Sequence, residues 1–172
     1  MTRAIRIIGA ALSLAVSAPS ASAQDPEAAL ADLRACLETA TGADARACVG
    51  TYARPCMAAP GGDTTLGMTD CTIAEAAAWD RMLDETFADL VILSRDRIAL
   101  EEQAGAAPPP LDEMLREAQG AWVTFRDADC AQEYAVWGEG SMRQIAGAWC
   151  RLDRTSQRVI ELRAKREAFE GE

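Results

Sequence analysis

Residues 130–150, CAQEYAVWGEGSMRQIAGAWC, decide the fold. Gly138-Glu139-Gly140-Ser141 is a run of turn formers, and the arms on either side show no β-type alternation. Cys130 and Cys150 each stand ten residues from Gly140. In an antiparallel helix hairpin, residues equally far from the turn face each other, so a disulfide there meets the usual Cα separation of about 5.5–6 Å. The same symmetry recurs upstream: Cys36 and Cys48 each stand six residues from Gly42, within Thr41-Gly42-Ala43-Asp44. Cys56 and Cys71 are left for a third bridge across Pro60-Gly61-Gly62. The sequence alone leaves other connectivities open, and symmetry favours this one.

Outward from the hairpin, the composition is helix-forming, rich in Ala, Leu, Glu and Arg. A first helix is expected from Pro26 to about Ala40, with Leu30, Leu33 and Leu37 on one face. A short second helix is expected over Asp44–Ala53, then a loop from Pro55 to Asp63. Thr64 or Thr65 can cap a long helix ending near Gln103, along which Ile73, Ala76, Leu83, Phe87, Leu90, Val91 and Ile98 recur at helical spacing. Gly105 to Pro110 is a joint. Leu111, Leu115, Ala118, Trp122 and Phe125 mark a helix reaching Val136, and Met142, Ile145, Trp149, Leu152 and Val159 mark a last one, fraying near Phe169. The expected fold class is all-α, a disulfide-stabilised helical bundle with a small N-terminal helical hairpin.

The start of the chain carries Arg3 and Arg6, an apolar run from Ile7 to Val16, and the small-x-small triplet Ala21-Ser22-Ala23. That is the layout of a secretory signal peptide with its cut after Ala23. The expected organisation is therefore a signal peptide (1–23), a cysteine-containing hairpin and loop (24–63) and a helical domain (64–172). The run is too short for a retained membrane span, so a periplasmic or secreted protein without membrane insertion is expected. Six cysteines in an exported chain read as three disulfides.

Charge and composition bound the function. The chain carries a net −10; without Arg3 and Arg6, fifteen basic residues face twenty-seven acidic ones, a net of −12. Such a charge disfavours nucleic acid and steers toward a basic partner, although solubility alone accounts for it equally well. There is no histidine, hence neither the usual general base nor the commonest metal ligand. Carboxylates such as Glu38, Glu101 and Glu102 are available, but no spacing sets two of them in one pocket. A non-enzyme with no metal and no cofactor is expected.

One segment carries a family resemblance. Gln119-Gly120-Ala121-Trp122-Val123-Thr124-Phe125-Arg126-Asp127-Ala128-Asp129-Cys130 resembles the Q-R-A-W-x-x-[FY]-R-D-x-x-C signature of the LprI-like lysozyme-inhibitor family. Met68-Thr69-Asp70-Cys71 with Glu75, Asp80, Leu83 and Phe87 looks like the upstream positions of that family. Gly140-Ser141, Cys150, Thr155, Arg158 and Leu162 look like the downstream ones. The resemblance runs from about Thr64 to Arg163; Gly120, Asp84 and Phe87 depart from the usual Arg, Asn and Tyr. It implies an exported binding protein that occludes lysozyme-type muramidases.

Two features compete as the contact surface. Trp122 and Arg126 lie four apart on one helix face. They are expected to be structural, with Arg126 paired internally to Asp80 or Glu75, while Asp127 and Asp129 are expected to be solvated. The alternative is an exposed Trp-Arg contact. The Gly138-Glu139-Gly140-Ser141 tip, braced by a disulfide, is the candidate partner-binding element; its plain reading is an interhelical turn. Set against inhibition is an adaptor of the cell envelope, which an exposed apolar patch away from the tip would favour.

Overall fold

A computed structural model describes residues 25–171, so the expected signal peptide lies outside the described residues. The elements are α1 (Pro26–Thr39), a 3₁₀ segment (Gly42–Cys48), α2 (Ala53–Ala58), α3 (Thr65–Gln103), α4 (Leu111–Val136) and α5 (Met142–Glu170). There is no strand among the described residues. The fold is all-α and disulfide-stabilised.

The helix starts follow local chemistry. Asp25 caps α1, its Oδ1 accepting from the N–H groups of Glu27 and Ala28 at 3.1 and 3.0 Å, with Pro26 in the first turn. Thr64 caps α3, its Oγ1 accepting from Gly67 N–H at 3.0 Å. The disulfides join Cys36–Cys48, Cys56–Cys71 and Cys130–Cys150, at Cα separations of 5.8, 5.8 and 5.4 Å.

One stretch departs from expectation. The helix expected over Asp44–Ala53 is a 3₁₀ turn ending at Cys48, and the loop expected from Pro55 contains most of α2. Pro55 is tolerated because it sits in the first turn of α2, where a missing N–H costs no helical bond.

The core is made by α1, α3 and α5. Leu30, Leu33 and Leu37 meet Trp79, Leu83 and Leu90 of α3 and Leu152, Val159 and Leu162 of α5. Each fully buried leucine contributes about 1.5–3 kcal/mol. Ala74, Ala76 and Ala78 are also buried on α3. Trp79, with no exposure at all, is absent from the apolar stripe above, yet it lies three residues after Ala76 and four before Leu83. Ile73, Phe125 and Met142, which the stripes include, are instead exposed.

α4 differs from its neighbours. Its only buried residues are Gln119 and Arg126, both polar. Leu115 and Trp122 are half-buried against the core. The helix is therefore held largely by polar contacts and by Cys130–Cys150.

Candidate functional site

The polar contacts that hold α4 converge on Arg126, whose side chain is 7% exposed. Its Nη1 donates to Asp80 Oδ1 of α3 at 2.8 Å and to Thr155 Oγ1 of α5 at 3.3 Å, and its Nε to Asp127 at 3.0 Å. The other oxygen of Asp80 accepts from Arg151 Nε at 3.2 Å. One turn away, Arg158 Nε donates to Gln119 Oε1 at 3.0 Å. Both guanidinium groups stand over the Trp122 ring, Arg126 at 5.2 Å and Arg158 at 5.6 Å from its centroid, a cation–π arrangement. Asp80, Gln119, Trp122, Arg126, Asp127, Thr155 and Arg158 are thus one cluster across three helices. Its geometry fixes the register and height of α4, and leaves Trp122 half-buried rather than offered to solvent.

Glu75 stands outside this cluster, although pairing with Arg126 was one of two expectations. It is fully buried. Its Oε1 accepts from Gly50 N–H at 2.5 Å and Trp79 Nε1 at 3.2 Å, and its Oε2 from Tyr52 N–H at 3.1 Å and Ala53 N–H at 2.7 Å. A carboxylate of α3 therefore caps α2 in place of a local side chain. Four donors satisfy the buried charge, and Gly50 reaches it with a φ of +88°, a conformation that favours glycine.

Asp129 is also paired rather than solvated. It accepts from Arg154 Nε at 2.8 Å, and Arg154 covers the exposed Phe125 ring at 5.8 Å. Asp129 lies close to the sulfurs of Cys130 and Cys150. Those sulfurs are joined to each other and offer no thiolate to a metal. Glu38 lies on α1, whereas Glu101 and Glu102 lie at the end of α3, with Glu101 taken up by Arg97 at 3.0 Å.

Beyond Cys130–Cys150 the hairpin is outward-facing. Gly138, Glu139, Gly140 and Ser141 are all exposed, as are Val136, Trp137 and Met142. Backbone bonds from Gly140 N–H to Trp137 and from Arg143 N–H to Gly140 close the turn, at 3.0 and 3.2 Å. Gly138 supplies its φ of +55°. Between disulfide and turn, Gln144 donates to the Tyr134 hydroxyl at 3.2 Å, and Arg143 lies over the same ring at 5.3 Å. The apolar neighbours Trp137, Val136 and Met142 are the residues that the sequence reading left out of the tip. Their signal was that apolar residues adjoin a polar turn with no facing helix left to cover them.

A family model described as lysozyme inhibitor LprI matches residues 56–162, more than half of the chain. The chain belongs to the LprI family. The match takes in Cys56 together with Cys71, so it begins earlier than the Thr64 boundary of the resemblance. No curated protein and no solved structure matches the sequence. Within the LprI match, Gly120 and Asp84 are exposed, so the departures there alter the surface alone; Phe87 is half-buried against the core without a hydroxyl. No described helix is long and apolar enough to cross a membrane.

Proposed function

We propose that the chain is an exported, non-catalytic protein that inhibits lysozyme-type muramidases by occluding them, with Gly138, Glu139, Gly140 and Ser141 as the probing element. The observation that carries this reading is the braced tip on a chain of the LprI family. A disulfide and the Tyr134 contacts hold the turn, so little ordering entropy remains to be lost on binding. Trp137 beside Glu139 offers an aromatic anchor next to an acid, a combination suited to a basic protein surface. The net charge of −10 steers such an encounter. In this reading the chain is delivered to the periplasm or secreted after a cut behind Ala23, and residues 24–63 form an accessory module packed on 64–172. It takes no cofactor or metal and binds no nucleic acid.

Titration of the oxidised protein against c-type, g-type and bacterial muramidases, followed by cell-wall lysis at physiological salt, tests the reading. Saturable inhibition near one-to-one, lost when Gly138–Ser141 is exchanged for an unrelated turn, is the expected result. Absence of inhibition at micromolar protein sinks it. A second reading, an envelope adaptor, has its own support: Ile92 and Leu100 in the last third of α3 and Met114 in the first turn of α4 are exposed, remote from the tip. Full inhibition by a variant carrying polar residues at these three positions would count against it.

A further inference from the structure

A cleft of about 530 Å³ opens between α1, α2 and the first turns of α3, a size within the usual range for ligand sites. Tyr52, Pro55, Pro60 and Leu66 give it apolar walls, and Asp32 and Asp70 give it carboxylates. Its frame is rigid. Cys56–Cys71 ties α2 to α3, and the Gly61–Gly62 turn presses on Gly67, where an added Cβ would fall 2.2 Å from the Gly61 carbonyl oxygen. Leu66 is 70% exposed at its edge.

The carboxylates are the informative part. Asp80, Asp112, Asp129 and Asp153 each pair with an arginine, whereas neither Asp32 nor Asp70 forms an ion pair or side-chain hydrogen bond among the described residues. No arginine or lysine lines the cleft. Apolar walls with unneutralised acids suit a side chain that is aliphatic along its stem and cationic at its head.

We propose that this cleft is a second interaction surface, which takes an arginine or lysine flanked by apolar residues on a segment of a basic partner protein. The stem lies against Leu66, Pro55 and Tyr52, and the head meets Asp32 and Asp70. The proposal rests on the cleft's shape and charge, so it stands whether or not the partner is a muramidase.

The test uses the oxidised protein purified from the periplasm of an expression host and ¹⁵N-labelled. Acetyl-Leu-Arg-Leu-amide, its citrulline counterpart and spermidine are titrated separately. The arginine peptide is expected to give saturable shifts at the amides of Tyr52, Leu66 and Asp70, with clearly weaker binding for citrulline. The double variant Asp32→Asn/Asp70→Asn should weaken the peptide by about tenfold, the loss of a charge-assisted contact. Leu66→Ser should weaken it as well; because Leu66 is exposed, that variant tests the cleft even if the double variant fails to fold. Equal binding of citrulline, shifts absent at millimolar peptide or scattered elsewhere, or unaltered binding by the folded variants would overturn the proposal. Spermidine binding as tightly as the peptide would also overturn it, marking a polyamine site instead.

Discussion

The α4–α5 hairpin faces inward at its waist and outward at its tip. At the waist, Gln119, Trp122 and Arg126 of α4 and Thr155 and Arg158 of α5 spend their polar groups on one another and on Asp80. At the tip, Trp137, Glu139 and Ser141 are exposed, and the turn is formed by backbone bonds together with Arg143 Nη1 donating to the Gly138 carbonyl. The difference separates two uses of sequence. The residues that carry the family signature hold α4 in place, and the residues free to meet a partner are a few turns beyond them. A motif rich in Trp, Arg and Asp resembles a contact surface, yet here it is how a helix with no buried apolar side chain is retained.

The largest expected loss is at Glu75, a buried anchor outside the waist that caps α2 and so measures what a fully satisfied inward carboxylate contributes. Glu75→Gln replaces a charged acceptor with an amide whose NH₂ faces backbone N–H donors. It should destabilise the fold by about 4 kcal/mol, since buried groups left unpaired are costly and charged ones more so. Urea denaturation of the oxidised protein measures this; a loss below about 1 kcal/mol would mean that water or a shifted loop replaces the carboxylate.

Arg126→Ala should come next, at about 2 kcal/mol, because it takes a charge-assisted bond from Asp80, which keeps Arg151, and strips one cation from Trp122. Arg126→Lys should recover only part, since an ammonium lacks the fork that holds Asp127 through Nε while Nη1 serves Asp80 and Thr155. Inhibition per folded molecule should stay unchanged. If Arg126→Lys abolishes inhibition without altering the urea midpoint, the waist is a contact surface and the comparison is reversed.

The outward half makes the opposite forecast. Trp137→Ala should shift stability by no more than about 0.5 kcal/mol, as is usual for an exposed side chain. It should weaken muramidase binding by about tenfold or more if Trp137 anchors the tip. Parallel melting curves and inhibition titrations separate the two effects.

How much of this was legible depends on the range of the contacts involved. The disulfide pairs follow from symmetry about Gly42 and Gly140, because a hairpin is a local object. The ends of α3 and α4 coincide with expectation at Gln103 and Val136, where Gly105 and Gly138 break the chain. α2 escaped because its N-terminal N–H groups find their acceptor on Glu75, more than twenty residues along. The split between Asp80 and Glu75 as partner of Arg126 was likewise open, since residues 75 and 80 differ by little more than one helical turn and only packing selects between them. Phe125 was misplaced because a stripe of apolar residues does not reveal that an arginine, here Arg154, covers one of them at the surface.

The smallest expected effect lies at the end of α4 remote from the tip. Asp112, in the first turn, accepts from Arg116 at 2.8 Å and from Arg95 of α3 at 2.9 Å. These hydrogen bonds, Arg116 first and then Arg95, lower its pKa from 3.8 to about 2. A depressed carboxylate favours the fold while it is ionised, so its contribution is complete above pH 3.8 and is lost as the pH falls through about 2. The urea midpoint of the native sequence should therefore exceed that of Asp112→Asn at pH 5, and the gap should close on approaching pH 2. The effect is a modest one, because pairs this near the surface are screened by water and salt. A gap that persists unchanged at pH 2 would mean that the Asp112 carboxyl stabilises the start of α4 through its protonated form, and would remove the ion pair as the clamp between α3 and α4. Inhibition should not change with Asp112→Asn at any pH where both proteins are folded, because Asp112 lies in the first turn of α4 and the tip lies beyond Cys130–Cys150 at its other end.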